Sequence, residues 1–408
     1  VVRRVLVVAS TFPANDEDHV PAFVRDQVVA MQALDPDVEW HVLAPHDRRS
    51  QTRTVRRWPS FVEHRFHYMW PRRLERLAGR GIMPALRAEP HLHVVLPFFF
   101  LAEFWALWRL ARSLRPDVLY AHWFTPQAIT SVWVARLVGS RTVFTTHASD
   151  VAVWHRFGPL GAAVVRWHVR RAAAFTAVSR RSMGRLRQFF PGEAWAEVAD
   201  RGRVLPMGVH VDAADETPPA DGTVLFIGRL VEKKGVSFLL RAFAEAGPEL
   251  GDVRLVVAGD GPLRSALTAE AVELGLGGRV EFPGYVTGEA KADLVRSAAV
   301  VVVPSVVASD GDVEGLPIAL LEGLAAGRPC VATPESGADD VLEDGVNGFL
   351  VPQRDSTALA AALVRAVHLS PSERSLIGER ARTTARRLAW PVVARQHLDL
   401  LFDGAPPA

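Results

Sequence analysis

Twice in 408 residues this chain alternates short runs rich in Val, Leu and Ile with longer amphipathic stretches. Repeated β-α units around a parallel sheet satisfy that pattern. In the first half the spacing predicts strands at Val5–Ser10, Glu39–Ala44, Val118–Ala121, Thr142–Thr146 and Phe175–Val178, with helices over Phe23–Ala33 and Phe98–Ser113. In the second half it predicts strands at Val224–Ile227, Arg254–Ala258, Val280–Phe282, Val300–Val303 and Pro329–Ala332. Helices near Val236–Ala246, Leu263–Leu274, Lys291–Ser297 and Ile318–Ala326 separate them. The chain is too long for one core, and at 49% hydrophobic residues it can bury two, so two Rossmann-like α/β domains are expected. Val211–Gly222 is polar, contains Pro218-Pro219 and has no apolar period, which marks it as the linker. The expected division is residues 1–210, then 211–390. Pro391 is expected to break or bend the last helix, leaving Val392–Phe402, within a segment of about 391–408, to return to the first domain.

The formal net charge of +2 conceals two opposite halves. Residues 1–208 carry 29 basic and 17 acidic side chains, against 18 and 28 in the remainder. A basic half of this kind is suited to an anionic membrane surface or a phosphorylated ligand; because all its basic residues are Arg, a solvated arginine surface competes with that reading. No nucleic-acid partner is expected. The single cysteine, Cys330, rules out an intramolecular disulfide and fits a reducing compartment, so the expected location is cytoplasmic, with peripheral docking on the cytoplasmic membrane face. Val94–Leu110 is interrupted by Pro97, Glu103 and Arg109, and no transmembrane helix or signal peptide is expected.

The stretch most informative about chemistry is Asp310-Gly-Asp-Val-Glu314-Gly-Leu-Pro-Ile-Ala-Leu-Leu-Glu322, which follows the strand candidate Val300–Val303. Pro317 suits the first turn of a helix, and Gly315 and Leu316 offer N–H groups at its positively polarised end, where a phosphate belongs. Glu314 and Glu322 flank that point. Their separation, on the order of 10 Å by helical rise plus a turn, matches the span from sugar to ribose in a nucleotide-sugar. Just after Val224–Ile227 comes Gly228-Arg229-Leu-Val-Glu-Lys233-Lys234-Gly235, which places Arg229 and one of the lysines at a strand end where α/β proteins bind ligands. They are suited to neutralising a diphosphate leaving group without a metal.

These blocks, with Gly259-Asp-Gly-Pro262 and Thr146-His-Ala-Ser-Asp150, resemble the retaining glycosyltransferases of family 4, which have the GT-B fold. The likeness is strong from about Val204 to Leu359 and good from Arg115 to Arg187. It implies two Rossmann-like domains facing each other across a donor-binding cleft. It further implies that Arg229 and Lys234 grip the donor diphosphate and that Glu322 binds the ribose. Glu314, with the N–H groups of Gly315 and Leu316, would meet the transferred sugar, and the base would be read by backbone near Val286. His147 would reach the donor sugar, while Asp150 and His122 would bind the acceptor. Departures from the family pattern are Ala148 in place of a glycine, Met207 where asparagine is frequent, and a first β-α turn, Thr11 to Pro21, with no glycine.

Several features have plainer readings. Two glutamates eight apart are common on solvated helices; Pro317, the preceding strand and the Arg-Lys block turn the pair towards function. His147 and His122 compete with hydrogen-bonded structural histidines. Asp310-Gly-Asp312 and Asp16-Glu-Asp-His19 lack supporting ligands and read as polar loops, so no metal and no cofactor are expected. Cys330 reads as a buried, inert thiol. Phe98, Phe99, Phe100, Phe104, Trp105 and Trp108 mostly follow a helical face and read as core, with membrane contact as the sharper alternative. Between Arg48 and Pro90, Arg53, Arg56, Arg57, Arg65, Arg72, Arg73, Arg76, Arg80 and Arg87 interleave with Trp58, Phe61, Phe66, Tyr68 and Trp70, an insert suited to anionic headgroups.

The expected function is retaining, metal-independent transfer of a sugar from a UDP- or GDP-sugar to a hydroxyl of a glycan acceptor, lipid-linked or small and soluble. A sugar-nucleotide 2-epimerase and a catalytically silent sugar-nucleotide-binding partner are the competing readings. No Gly-x-Gly-x-x-Gly follows the first strand, which argues against an NAD-dependent dehydrogenase.

Overall fold

A computed structural model of the chain describes residues 2–15, 18, 22–78, 81–147, 150–211 and 222–402. The chain divides into two compact units. One comprises residues up to Val178, Ser182–Gly208 and from Val393 onward; the other comprises Ser179–Arg181 and Val209–Val392. The predicted linker lies almost wholly outside the described residues.

The first unit is built on an eight-stranded sheet: β1 (Arg4–Ala9), β2 (Glu39–Pro45), β3 (Val55–Arg57), β4 (Val62–Phe66), β5 (Val118–His122), β6 (Arg141–Thr146), β7 (Ala174–Ala177) and β8 (Gly202–Val204). Their order is β3-β4-β2-β1-β5-β6-β7-β8, and every pair is parallel except β3 with β4. β1 thus lies between β2 and β5, so successive connections leave it on opposite sides and open a crevice at its carboxyl end. Both sheet faces are covered, and Val5, Val7, Val42, Val118 and Tyr120 on one face pack with Ala394, Leu398 and Leu401 of the helix Trp390–Phe402. Pro391 therefore sits in the first turn of that helix, where its missing N–H costs nothing, rather than breaking it.

Three of these strands escape the hydrophobic pattern. β4 reads Val-Glu-His-Arg-Phe, yet Glu63 and Arg65 are both buried and pair at 2.5 Å. Glu63 also accepts from the Thr52 hydroxyl (2.7 Å) and Trp58 Nε1 (2.8 Å), and Arg65 donates to the carbonyls of Pro45 and Pro13. A charge pair satisfied this completely can occupy a strand interior. The structure thus removes Arg65, Phe61, Phe66 and Tyr68 from the surface assigned to the arginine-rich insert and places them in the core. Arg80 lies outside the described residues.

The helix Leu96–Leu114 corrects the reading of its aromatic residues. Joined to the 3₁₀ turn Pro90–Val95 it is, by length and composition, a segment capable of crossing a membrane. Its Phe99, Glu103, Leu107 and Ala111, spaced by four, instead pack into the core. Of the six aromatics read as core only Phe99 is fully buried, whereas Phe98 and Trp105 are 49% and 56% exposed on the other face beside Leu101 at 67%. Glu103 accepts from Gln127 Nε2 (2.8 Å) and the Thr130 hydroxyl (2.7 Å), but burial outweighs these bonds and pushes its carboxyl up to about 7. Because the folded value is raised, the native protein loses stability as pH climbs from about 4.5 to 7, and the loss is complete above that. Glu103→Gln should therefore gain ~2–3 kcal/mol relative to wild type between pH 5 and pH 8, read by denaturant unfolding at the two values. An equal effect at both would refute the assignment.

The second unit is a six-stranded parallel sheet: β9 (Thr223–Ile227), β10 (Arg254–Ala258), β11 (Val280–Gly284), β12 (Val300–Val303), β13 (Cys330–Ala332) and β14 (Phe349–Leu350), ordered β11-β10-β9-β12-β13-β14. Its switch point falls between β9 and β12. Val224, Phe226, Leu255, Val257 and Val302 pack on one face, and Leu225, Val301, Leu320, Leu324 and Cys330 on the other. Burial pushes the Cys330 thiol up to about 12, which makes it inert as expected.

Candidate active site

In the second unit the loops leaving β9, β10 and β12 are drawn together by backbone contacts. Gly228 N–H donates to Ala258, Leu230 N–H to Asp260, and Val306 N–H to the Lys233 carbonyl. A Cβ at Gly259 would lie 1.9 Å from the Gly228 carbonyl oxygen, and one at Gly235 1.9 Å from that of Pro304. Both also have positive φ, so the two glycines permit an approach that no other residue allows.

That approach brings together residues that are about 80 apart in sequence. Lys234 Nζ lies 3.1 Å from Glu314 Oε2, and Lys233 Nζ lies 3.4 Å from Glu314 Oε1 and 3.3 Å from Asp312. Burial raises the Glu314 carboxyl, but the two lysines overcome it and hold the group down to about 2, so it is ionised throughout the neutral range. Burial also disfavours the Lys233 ammonium; Glu314 and Asp312 outweigh it and raise its pKa. Asp312 is thus the partner of a lysine, and its N–H donates to Asp310 within a polar turn. Arg229 is partly buried at the end of β9.

Pro317 is the N-cap of the helix Ile318–Ala325, with extended backbone and no side-chain cap. Among the described residues the N–H groups of Gly315 and Leu316 find no acceptor. Glu322, inside the helix, takes a 2.5 Å bond from Lys291 Nζ on Oε1, while its buried Oε2 has no partner. Unsatisfied donors and one unsatisfied carboxylate oxygen at a sheet switch point are a complement to phosphate and hydroxyl groups. Val286 follows β11 in the same unit, and Gly284, two residues before it, accepts from Gly259 N–H at 2.7 Å.

In the first unit the carboxyl ends of β5 and β6 bring His122 and His147 together, Nδ1 to Nε2 at 3.2 Å. Burial lowers both rings, His147 to about 4 despite the opposing Asp150 charge, so both are neutral at pH 7. His397 of the last helix, lowered to about 3 by burial and by His147, reaches the Tyr120 hydroxyl at 3.2 Å. His122 Nε2 is buried without a partner. Asp150 accepts from Phe124 N–H (2.6 Å) on one oxygen, and from the Thr146 hydroxyl (2.8 Å) and His147 N–H (3.1 Å) on the other. It orients the backbone that carries His147.

The sequence reading passed over Trp123, whose ring centre lies 4.8 Å from that of His147 at a 35° tilt and whose backbone holds a φ of 73°. A non-glycine residue in that region carries strain, a signal only the backbone reveals. Asp16, Glu17, His19, Ala148 and Ser149 lie outside the described residues; Asp18 pairs with Arg49.

Residues 221–368 match the family model "Glycosyl transferases group 1", and residues 20–206 match "Glycosyl transferase 4-like domain". Among curated relatives, the phosphatidyl-myo-inositol mannosyltransferase of Mycobacterium leprae is 32% identical over 69% of this chain and 71% of its own length. WcaL of Escherichia coli (strain K12), named for a provisional role as a colanic acid biosynthesis glycosyltransferase, is 30% identical over 67% of each. The crystal structure of Anabaena HepE in complex with UDP superposes with a TM-score of 0.69, covering 98% of this chain and 99% of that one at 18% identity. With two parallel-sheet domains of the GT-B kind and both halves matched, this chain belongs to the group 1 glycosyltransferases with a glycosyltransferase 4-like N-terminal domain.

Proposed function

We propose that this glycosyltransferase moves a hexosyl group from a UDP- or GDP-sugar to a hydroxyl of a lipid-linked glycan acceptor, with retention of configuration and without a divalent ion at the diphosphate. The observation that carries this reading is the Lys233–Lys234–Glu314 cluster beside the open N–H groups of Gly315 and Leu316. Lys234 and Arg229 serve the diphosphate, Glu322 the ribose through its unpartnered oxygen, Glu314 the sugar, and backbone near Val286 the base. His147 contributes a neutral imidazole to the donor sugar, His122 faces the acceptor, and Asp150 positions both.

In the transfer step the bond from the anomeric carbon to the phosphate oxygen breaks, and the acceptor oxygen bonds to the same face. The acceptor proton passes to the departing phosphate oxygen, so no dedicated protein base is needed. Cations and helix N–H groups stabilise the charge that builds on the diphosphate. Metal independence is consistent with Asp312 being paired to Lys233.

The acceptor class rests on the exposed ledge of Phe98, Leu101 and Trp105, which with Trp70 lines an open groove of about 960 Å³. Arg72, Arg73 and Arg87 are exposed near it in sequence. Names of relatives that act on phosphatidyl-inositol or build colanic acid fit the same reading. The test is transfer from a panel of nucleotide-sugars with the product anomer read by NMR, in EDTA and with Mg²⁺ or Mn²⁺ titrated. Activity lost in EDTA and restored by either ion, or an inverted product, would overturn it.

A further inference from the structure

At the carboxyl ends of β2 and β4 the first unit carries a side-chain cluster that sugar transfer does not use. His46 follows β2, His67 follows β4, and Glu75 lies on the turn after the short 3₁₀ helix Arg72–Leu74. The Glu75 side chain is fully buried, and both of its oxygens are engaged. Oε1 accepts the Tyr68 N–H at 2.9 Å and lies 3.2 Å from His67 Nδ1. Oε2 faces His46 Nδ1 at 2.8 Å and His67 Nδ1 at 3.1 Å. The imidazole rings lie 4.2 Å apart, and the three candidate ligand atoms are all within 4.8 Å of one another.

We infer that His46, His67 and Glu75 form a transition-metal site that takes Zn²⁺, with a fourth position open to water or an exogenous ligand. Bonds of about 2.0–2.2 Å to imidazole nitrogen and carboxylate oxygen put neighbouring ligand atoms of a tetrahedral ion about 3.3 Å apart. The two nitrogen-to-oxygen separations, 2.8 and 3.1 Å, lie within about half an ångström of that edge and all three atoms stay within 4.8 Å of one another, so side-chain rotation admits the ion. Two nitrogens and one oxygen suit a borderline ion such as Zn²⁺ and not Mg²⁺ or Ca²⁺, which demand oxygen ligands. The Tyr68 amide supplies the outer hydrogen bond that fixes the ligating carboxylate. Both histidines are partly exposed, and His67 lines the open groove, which provides an entry path. The rival explanation is a metal-free cluster in which His46 donates Nδ1–H to Oε2 and His67 shares its Nδ1–H between both oxygens. In that rival both Nδ1 atoms carry protons, whereas an ion takes their lone pairs, so retention of metal separates the two.

The ion would tie the segment after β4 to the end of β2, and it plays no part at the donor diphosphate, whose residues lie in the other unit. The experiment uses the full chain, purified with and without added Zn²⁺ and desalted. About one Zn²⁺ per chain by elemental analysis, a Zn²⁺-dependent rise in melting temperature, and visible Co²⁺ bands of four-coordinate intensity are expected. Glu75→Gln retains an acceptor for the Tyr68 amide and a hydrogen-bonding partner for the imidazoles, so the cluster survives without its anionic ligand. It should lose affinity on the order of a hundredfold and lose the Zn²⁺ response. Wild-type protein with no retained Zn²⁺, no melting shift and no Co²⁺ bands would overturn the proposal without reference to any variant. Equal retention by wild type, Glu75→Gln and His46→Asn would place the ion elsewhere and overturn it as well.

Discussion

Alanine at Arg229 or Lys234 should lower kcat/KM for sugar transfer by about 10²–10³-fold, with melting temperature close to wild type. Loss of a cation that faces developing negative charge removes transition-state stabilisation without a compensating gain. Stability should survive at Lys234 because Lys233, 3.4 Å away from the other oxygen, still pairs with Glu314 and leaves no orphaned buried charge. Glu322→Ala separates binding from chemistry. It deletes the carboxylate oxygen that has no protein partner, so donor affinity should fall by about tenfold or more while turnover at saturating donor changes less. Calorimetric titration with UDP and GDP beside steady-state rates reads both effects. Wild-type donor affinity and turnover in Arg229→Ala, Lys234→Ala and Glu322→Ala together would remove the donor site from this unit.

Leu101→Ser combined with Trp105→Ser should reduce partition into vesicles containing anionic lipid by about tenfold to hundredfold. Each residue is more than half exposed on a helix whose opposite face is packed, so the change should leave the fold intact. Insertion of two such side chains into an interface contributes ~1.5–3 kcal/mol each at full burial, and partial burial lowers that range. Flanking arginines add headgroup attraction that salt screens, so the wild-type affinity should weaken as ionic strength rises. The packed inner face, on which Phe99, Glu103, Leu107 and Ala111 are buried, argues for lying along the surface in preference to spanning it. Wild-type protein that ignores vesicles at low salt would instead assign the ledge to a soluble acceptor or a protein partner.

Local sequence was sufficient wherever one element carried the signal by itself. β1, β9, β10 and β12 were readable from apolar runs of Val, Leu, Ile, Phe and Ala, as parallel strands buried on both faces must be. The Glu314 to Glu322 block announced itself because strand, loop, proline and helix are consecutive, and the same continuity carries the family resemblance. β4 was not readable, because Glu63 and Arg65 break the apolar alternation and become tolerable only when they meet each other. β3, β8 and β14 are two or three residues long, too short for any period.

Sequence by itself determined the two parallel-sheet domains, the family, and which loops hold the Arg-Lys and Glu-Glu blocks, since each depends on residues close together in the chain. Tertiary structure decided which charges meet. Lys233 and Lys234 with Glu314, His122 with His147, and His46 and His67 with Glu75 are pairings that strand order creates. It also decided which face of Leu96–Leu114 turns outward, because an almost uniformly apolar helix has no polar side to announce it, and the buried Glu103 selects the inner face only once Gln127 and Thr130 are there to receive it.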